Sequence, residues 1–139
     1  SMVCPKWPSN TSEQGIKDWN KEFWNAADEM SGRQDKQARM WLRYHWEMRT
    51  VHTEEDVPPV PEGWYGMNKK IVAALRVMFS NHKQADRHFW TKYTMLEDEL
   101  DEKDETVTVG VALLRFYKEV CSDDDRVISS IQRRLELVT

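Results

Sequence analysis

The sequence has few of the residues that β-rich, disulfide-stabilised or membrane-spanning proteins need. Its 139 residues include only five glycines and five prolines, whereas β-sandwiches and β-barrels need many turns. It has two cysteines, Cys4 and Cys121, which we expect to be reduced thiols in an intracellular (cytoplasmic or nuclear) protein. The alternative is one disulfide between the N-terminal arm and a late helix. No apolar run approaches the roughly 20 residues that cross a bilayer, so we expect no membrane partner.

The sequence also lacks the motifs of common catalytic and metal sites. Its four histidines occur without the HExxH or CxxC patterns that bind zinc. Its glycines form no phosphate-binding loop, and GxSxG is absent. We therefore predict no enzyme activity, no catalytic residues, no metal and no cofactor. An enzyme with an unrecognised site is the third hypothesis for the function.

Charge is concentrated in the last third of the chain. The net charge is −4, and residues 97–139 carry six basic and twelve acidic side chains. Seven of the nine residues in 97–105 are acidic. We interpret this run as a solvated helix end, because catalytic carboxylate pairs need different environments. The alternative is a docking patch for a basic partner.

Helical spacing of apolar residues dominates the sequence and predicts an all-α, single-domain bundle of five or six helices. We expect a flexible N-terminal arm at residues 1–11, beginning with Ser1-Met2 as the remnant of a cleaved tag, and one helical domain at 12–139. Ser12 and Gly32 are predicted to cap the first helix. The predicted helices span residues 13–31, 34–52, 67–103, 107–121 and 124–138.

The middle of the chain contains a proline-rich segment and then a long helical pattern. Residues 53–66 include three prolines and cannot be helical throughout, which predicts a proline-rich crossover rather than an exposed SH3 or WW ligand. From residue 67 to 103 apolar residues recur every three or four positions without glycine or proline. We predict one long or bent central helix there. A break near residues 80–82 is the alternative.

An excess of aromatic residues favours a binding or assembly role. The chain has seven tryptophans, and tryptophan, tyrosine and arginine are enriched at interface hot spots. The leading hypothesis is a non-catalytic protein–protein interaction domain whose partner is another protein or a second copy. The alternative explanation is that the aromatic residues fill the core. Candidate partner-binding residues are Arg39, Trp41, Arg43, Tyr44, Trp46, Trp64 and Tyr65. Candidate self-association residues are Phe89, Tyr93, Leu96 and Leu100.

RNA or DNA binding by the helix at residues 34–52 is the alternative function. Arginines contact phosphates and aromatic side chains stack on bases. Against this hypothesis, Lys36, Arg39 and Arg43 fit an ordinary solvent-facing stripe, and Asp35 and Glu47 dilute their charge. A nucleic acid is therefore the less favoured partner.

Overall fold

The computed structural model describes residues 2–121, and every regular element in this range is a helix. The all-α prediction is thus confirmed for these residues, whereas the helix predicted at 124–138 lies outside them. Within the same range no helix combines the length and the apolar character needed to span a membrane. The elements are α1 (Glu13–Ser31), α2 (Gln37–Glu47), a 3-10 helix (Glu54–Asp56), α3 (Tyr65–Asn81), α4 (Arg87–Glu102) and α5 (Val109–Val120).

Helix α1 has the predicted boundaries because both of its ends are capped. The Ser12 side chain accepts a hydrogen bond from the backbone N–H of Gly15 at 3.1 Å. Gly32 adopts the left-handed conformation with φ of 65° and donates its N–H to the carbonyl of Glu29. Glycine reaches this conformation at little cost.

Helix α2 is shorter than the predicted range of residues 34–52. Lys36 has φ of 61°, which is incompatible with a right-handed helix. The Asp35 carboxylate accepts from the backbone N–H of Gln37 at 3.1 Å, so the helix begins there. After Glu47 the chain turns, and the N–H of His52 donates to the carbonyl of Met48.

The single long or bent helix that we predicted for residues 67–103 is wrong. Helix α3 ends at Asn81, and Asp86 caps α4 by accepting from the backbone N–H of Phe89 at 3.1 Å. The break, which agrees with the alternative near 80–82, turns α4 back onto α3. The ring centroid of Phe79 then lies 4.9 Å from those of Phe89 and Tyr93. The apolar spacing continues across the break because both helices bury their stripes in the same core.

Helix α5 is the central helix of the described fold. It packs against α2 and α3, and its sequence is apolar on nearly all sides, as expected for a helix covered all round. Its buried residues are Val109, Gly110, Ala112, Leu113, Leu114, Phe116, Tyr117 and Val120.

Two buried asparagines connect α5 to its neighbours. Asn68 of α3 donates its side-chain amide to the carbonyl of Val107 at 3.2 Å and accepts from the N–H of Val109 at 2.8 Å. The Tyr117 hydroxyl donates to the side-chain oxygen of Asn20 on α1 at 2.6 Å. Buried polar groups are costly without partners, so these bonds also fix the positions of α1 and α3 relative to α5.

The described part of the N-terminal arm packs against the bundle. The Trp19 indole donates to the backbone carbonyl of Lys6 at 2.9 Å. The Trp7 ring stacks on His82 with centroids 4.1 Å apart and contacts Phe116 edge-on at 5.0 Å. Since Trp7 fills the space beside the α3–α4 turn, the arm completes the core.

Replacing Gly110 with alanine tests the close packing of α5. A Cβ atom at this position would lie 2.5 Å from Val57 Cγ1 and 2.6 Å from His45 Cε1. We expect Gly110→Ala to lower the free energy of unfolding by about 1–3 kcal/mol, the usual cost of overpacking a core, in urea titration.

Gly66→Ala is the matched control, because a methyl group at this position would have no atom within 4 Å and the φ of Gly66 is not positive. Alanine there should be neutral or stabilising, since it has the higher helix propensity. Equal stabilities for the two variants would contradict the packing described for Gly110.

Candidate functional site

A group of aromatic side chains lies on α2 and in the segment before α3. Trp41 and Trp64 are half-buried and meet edge to face with ring centroids 5.3 Å apart. We call them the tryptophan pair. Tyr44 is 37% exposed and lies 5.8 Å from the His52 ring. The structure therefore brings together three predicted partner-binding residues, Trp41, Tyr44 and Trp64.

Next to the tryptophan pair lies the side of α2 that points away from the core, which we call the α2 outer face. Met40 is at its centre with 55% of its surface exposed, and Tyr44 follows one turn later. Met40 was not among the residues predicted from the sequence. Its (i, i+4) spacing from Tyr44, on the side opposite the buried stripe, could have identified it. The exposed residues of this face are Lys36, Gln37, Met40, Arg43, Tyr44 and Glu47.

Arginines beside this face are held over tryptophan rings. The guanidinium groups of Arg39 and Arg43 lie 5.5 and 5.6 Å from the ring centroid of Trp24 on α1, and Arg39 also donates to the side-chain oxygen of Asn25. Each cation–π contact is worth about 0.5–1 kcal/mol at an exposed site. These contacts restrict the arginine side chains in the unbound chain. The side chains therefore lose less conformational entropy when a partner binds.

The two remaining predicted partner-binding residues have opposite environments. Trp46 is a core residue: it is 8% exposed, its ring contacts Tyr117 at 4.9 Å, and the Arg49 guanidinium lies 3.5 Å from its ring centroid. Trp46 is therefore removed from the candidate surface. Tyr65 opens α3 and is 61% exposed, so it remains a candidate.

The proposed self-association stripe on residues 89–100 is used by the chain's own core. Phe89 is 7% exposed and Tyr93 is fully buried, so neither is available to a partner of the folded chain. Leu96 and Leu100 are half-buried and pack against the core cluster. The sequence prediction was wrong here because it assumed an uninterrupted helix whose apolar stripe needed an external cover.

The opposite side of α4 forms a second exposed surface, the α4 outer face. Met95 is 55% exposed at its centre, and three exposed carboxylates follow at the spacing of one helix side. In the sequence we interpreted the acidic run at residues 97–105 as a solvated helix end, and we did not relate its carboxylates to Met95. The exposed residues of this face are His88, Thr91, Lys92, Met95, Asp98, Glu99 and Glu102.

Concave regions elsewhere on the described bundle include a groove and a cleft. A groove of about 610 Å³ runs between the N-terminal arm and α3, and Cys4, Val77 and Met78 are among its lining residues. A smaller cleft between α3 and α4 contains Glu97, whose carboxylate is paired with Arg76 at 2.7 Å. Within residues 2–121, no three His, Cys, Asp or Glu side chains form a group able to hold a metal ion.

Several titratable groups in the described fold have strongly shifted pKa values, and two of them, His45 and Glu119, affect stability near neutral pH. Burial lowers the pKa of the His45 imidazole from 6.5 to about 4, with a smaller contribution from the charge of His52. A hydrogen bond with Asp86, followed by burial and the charge of Asp86, raises the pKa of Glu119 from 4.5 to about 7. Because Asp86 also caps α4, its contact with Glu119 couples the start of α4 to the end of α5.

Comparison of this chain with protein families, with curated proteins and with solved structures finds no match. What the chain does must therefore be inferred from its own residues.

Stability should depend on pH through Glu119. Between pH 4.5 and 7 the folded chain keeps the Glu119 proton that the unfolded chain releases, so a rise in pH lowers the free energy of unfolding. We expect Glu119→Gln to be more stable than the wild type at pH 8 and similar to it at pH 5. Urea titrations at both values measure the difference.

Exposed Glu22 on α1 provides the control, and Glu22→Gln should follow the wild type at both pH values. His45 acts in the opposite direction, because below pH 6.5 the unfolded chain takes up a proton that the folded chain does not bind. All of these variants retain His45, so its effect cancels when they are compared with the wild type. Identical differences between Glu119→Gln and the wild type at pH 5 and pH 8 would refute the assignment to Glu119.

Proposed function

We propose that this chain is a non-catalytic protein-interaction domain that binds its partner through the α2 outer face and the tryptophan pair. The observation that carries the proposal is the exposure of Met40 and Tyr44 between two ordered groups of side chains. On one side Arg39 and Arg43 lie over Trp24, and on the other is the tryptophan pair. Large apolar residues framed by arginine and tryptophan have the composition of interface hot spots.

The charge of this surface indicates the chemistry of the partner. Within residues 2–121, none of Lys36, Arg39 and Arg43 takes part in a salt bridge. Their positive charge is therefore available to carboxylates on a partner. The side chain that contacts Met40 and Tyr44 must be apolar to exclude water there. We therefore propose an acidic protein surface that carries at least one exposed apolar side chain.

The available arginines also keep nucleic acid as the alternative partner, but the rings are poorly arranged for bases. Trp41 and Trp64 pack at 88° to each other, and the Arg33 guanidinium lies 5.3 Å from the centroid of the Trp64 ring. Base stacking needs an open ring face. We retain an intracellular location in the proposal, because a chain of this size with two cysteines does not depend on disulfides for its stability.

Selection from a phage-displayed library of acidic peptides containing Met, Leu or Phe tests the proposed function. We expect selected peptides to bind at least about ten times more weakly to Met40→Ala and to Tyr44→Ala, because each variant removes an apolar contact at the centre of the interface. Affinity is measured by fluorescence anisotropy. Val77→Ala is the control, since Val77 is 60% exposed on α3 and should not affect binding.

The proposed surface would be contradicted if substitutions of Met40, Tyr44 and Arg43 left the affinity for the selected peptides unchanged. A labelled poly(U) strand provides the comparison with nucleic acid. The alternative would replace the proposal under two conditions. The chain would bind the strand in a salt-dependent way that is lost in the double variant Arg39→Glu/Arg43→Glu, and it would bind no acidic peptide.

A further inference from the structure

We infer that the partner of the α2 outer face is a second copy of this chain, which contributes its α4 outer face. This inference depends on the proposed function and adds the identity of the partner. The α4 outer face has the chemistry proposed for the partner surface: an exposed methionine, Met95, is followed along the helix by the carboxylates of Asp98, Glu99 and Glu102.

Each of the two faces has an apolar centre that the fold leaves in contact with water. Met40 and Met95 are each 55% exposed, and Tyr44 is 37% exposed. Methionine is flexible and packs well against an aromatic ring. A contact between Tyr44 of one copy and Met95 of the other would remove both apolar groups from water.

The order of charges along the two helices determines their relative direction. Toward its C-terminal end α2 has Arg43, then Tyr44, then Glu47, whereas α4 has Lys92, then Met95, then Glu99. With the helices antiparallel and Tyr44 opposite Met95, Glu47 faces Lys92, because each lies three residues from the centre.

The same alignment places the basic part of α2 against the acidic part of α4. On the N-terminal side of Tyr44, Lys36 then lies opposite position 103, next to Glu102. Arg43 lies opposite position 96, two residues from Asp98 and three from Glu99, and Met40 lies opposite Glu99. A parallel alignment would instead bring Glu47 close to the same carboxylates, and the like charges would repel each other. The charge pattern therefore favours the antiparallel arrangement.

The carboxylates of the α4 outer face are also available for intermolecular pairing. Within the described part of the chain, Asp98, Glu99 and Glu102 form no salt bridge. Charge pairs at the edge of an interface mainly increase the rate of association and are weakened by salt. We therefore expect association to be stronger at about 50 mM than at about 300 mM NaCl.

The α2 and α4 outer faces are different surfaces, so every copy carries both halves of the contact. Such a contact joins two different patches and is heterologous. Two copies form a closed dimer only if both of their α2–α4 contacts form at the same time. A variant with a damaged α2 outer face keeps a competent α4 outer face, and the reverse is also true. Two variants that fail to associate alone can thus associate with each other.

Sedimentation velocity of Arg43→Glu, of Glu99→Lys and of their equimolar mixture tests the inference. Each variant alone should associate at least about ten times more weakly than the wild type. The equimolar mixture should associate again, because it pairs an intact α2 outer face with an intact α4 outer face. Glu22→Lys, an exposed charge reversal on α1, is the control and should associate like the wild type. Circular dichroism checks that each variant is folded.

A second pair of variants tests the antiparallel register. Glu47→Lys and Lys92→Glu should each weaken association, and the double variant Glu47→Lys/Lys92→Glu should restore it, because the contact then has its charges exchanged. A double variant as weak as the single variants would overturn the antiparallel arrangement.

The inference fails if the wild type remains a monomer at low salt and millimolar protein concentration. It also fails if association is unchanged in Arg43→Glu and Glu99→Lys. Either result leaves the proposed function to be decided by the peptide selection, in which foreign acidic peptides bind the α2 outer face. If the wild type neither self-associates nor binds acidic peptides, the proposed function itself is wrong.

Discussion

Helix α5 is apolar around nearly its whole circumference, and its removal from water determines where the other described elements lie. One side is covered by α2 and another by α3. Gly110 permits the approach of α2, because its missing side chain leaves room for His45 and Val57. Trp7 of the arm covers Phe116. Since packing alone has no directional preference, the hydrogen bonds of Asn68 set the position at which α5 begins.

Local signals in the sequence predicted those parts of the fold that local chemistry determines. Ser12 and Gly32 located both ends of α1 because caps act on adjacent backbone groups. The α3–α4 turn entered the prediction only as the alternative, because apolar spacing records which residues are buried, and two helices that share one core can keep the spacing across a turn. His82, which interrupts the apolar stripe, lies in that turn and stacks on Trp7. A contact between residues so far apart in sequence leaves no local pattern.

The candidate site was only partly predictable for a related reason. Helical spacing identifies two sides of α2 with large residues but does not say which side the rest of the chain covers. Tyr44 and Trp46 looked equivalent in sequence, and only the position of Tyr117 on α5 makes Trp46 a core residue. The arginines of α2 likewise looked unrestrained in sequence, whereas Trp24 on α1 holds two of them in place. Both corrections come from contacts between helices.

The position of Trp7 also has a consequence for synthesis of the chain. Trp7 and Phe116 lie near opposite ends of the described residues, yet their rings are in contact. At the usual rate of about 5–20 residues per second, the ribosome needs roughly 5–20 seconds to pass from one to the other. During that time Trp7 cannot reach its final neighbours on α5, and its indole ring stays exposed or is covered by temporary contacts. The last step of core formation must therefore wait for α5 to leave the ribosome, and until then the nascent arm presents an aromatic segment of the kind that chaperones bind.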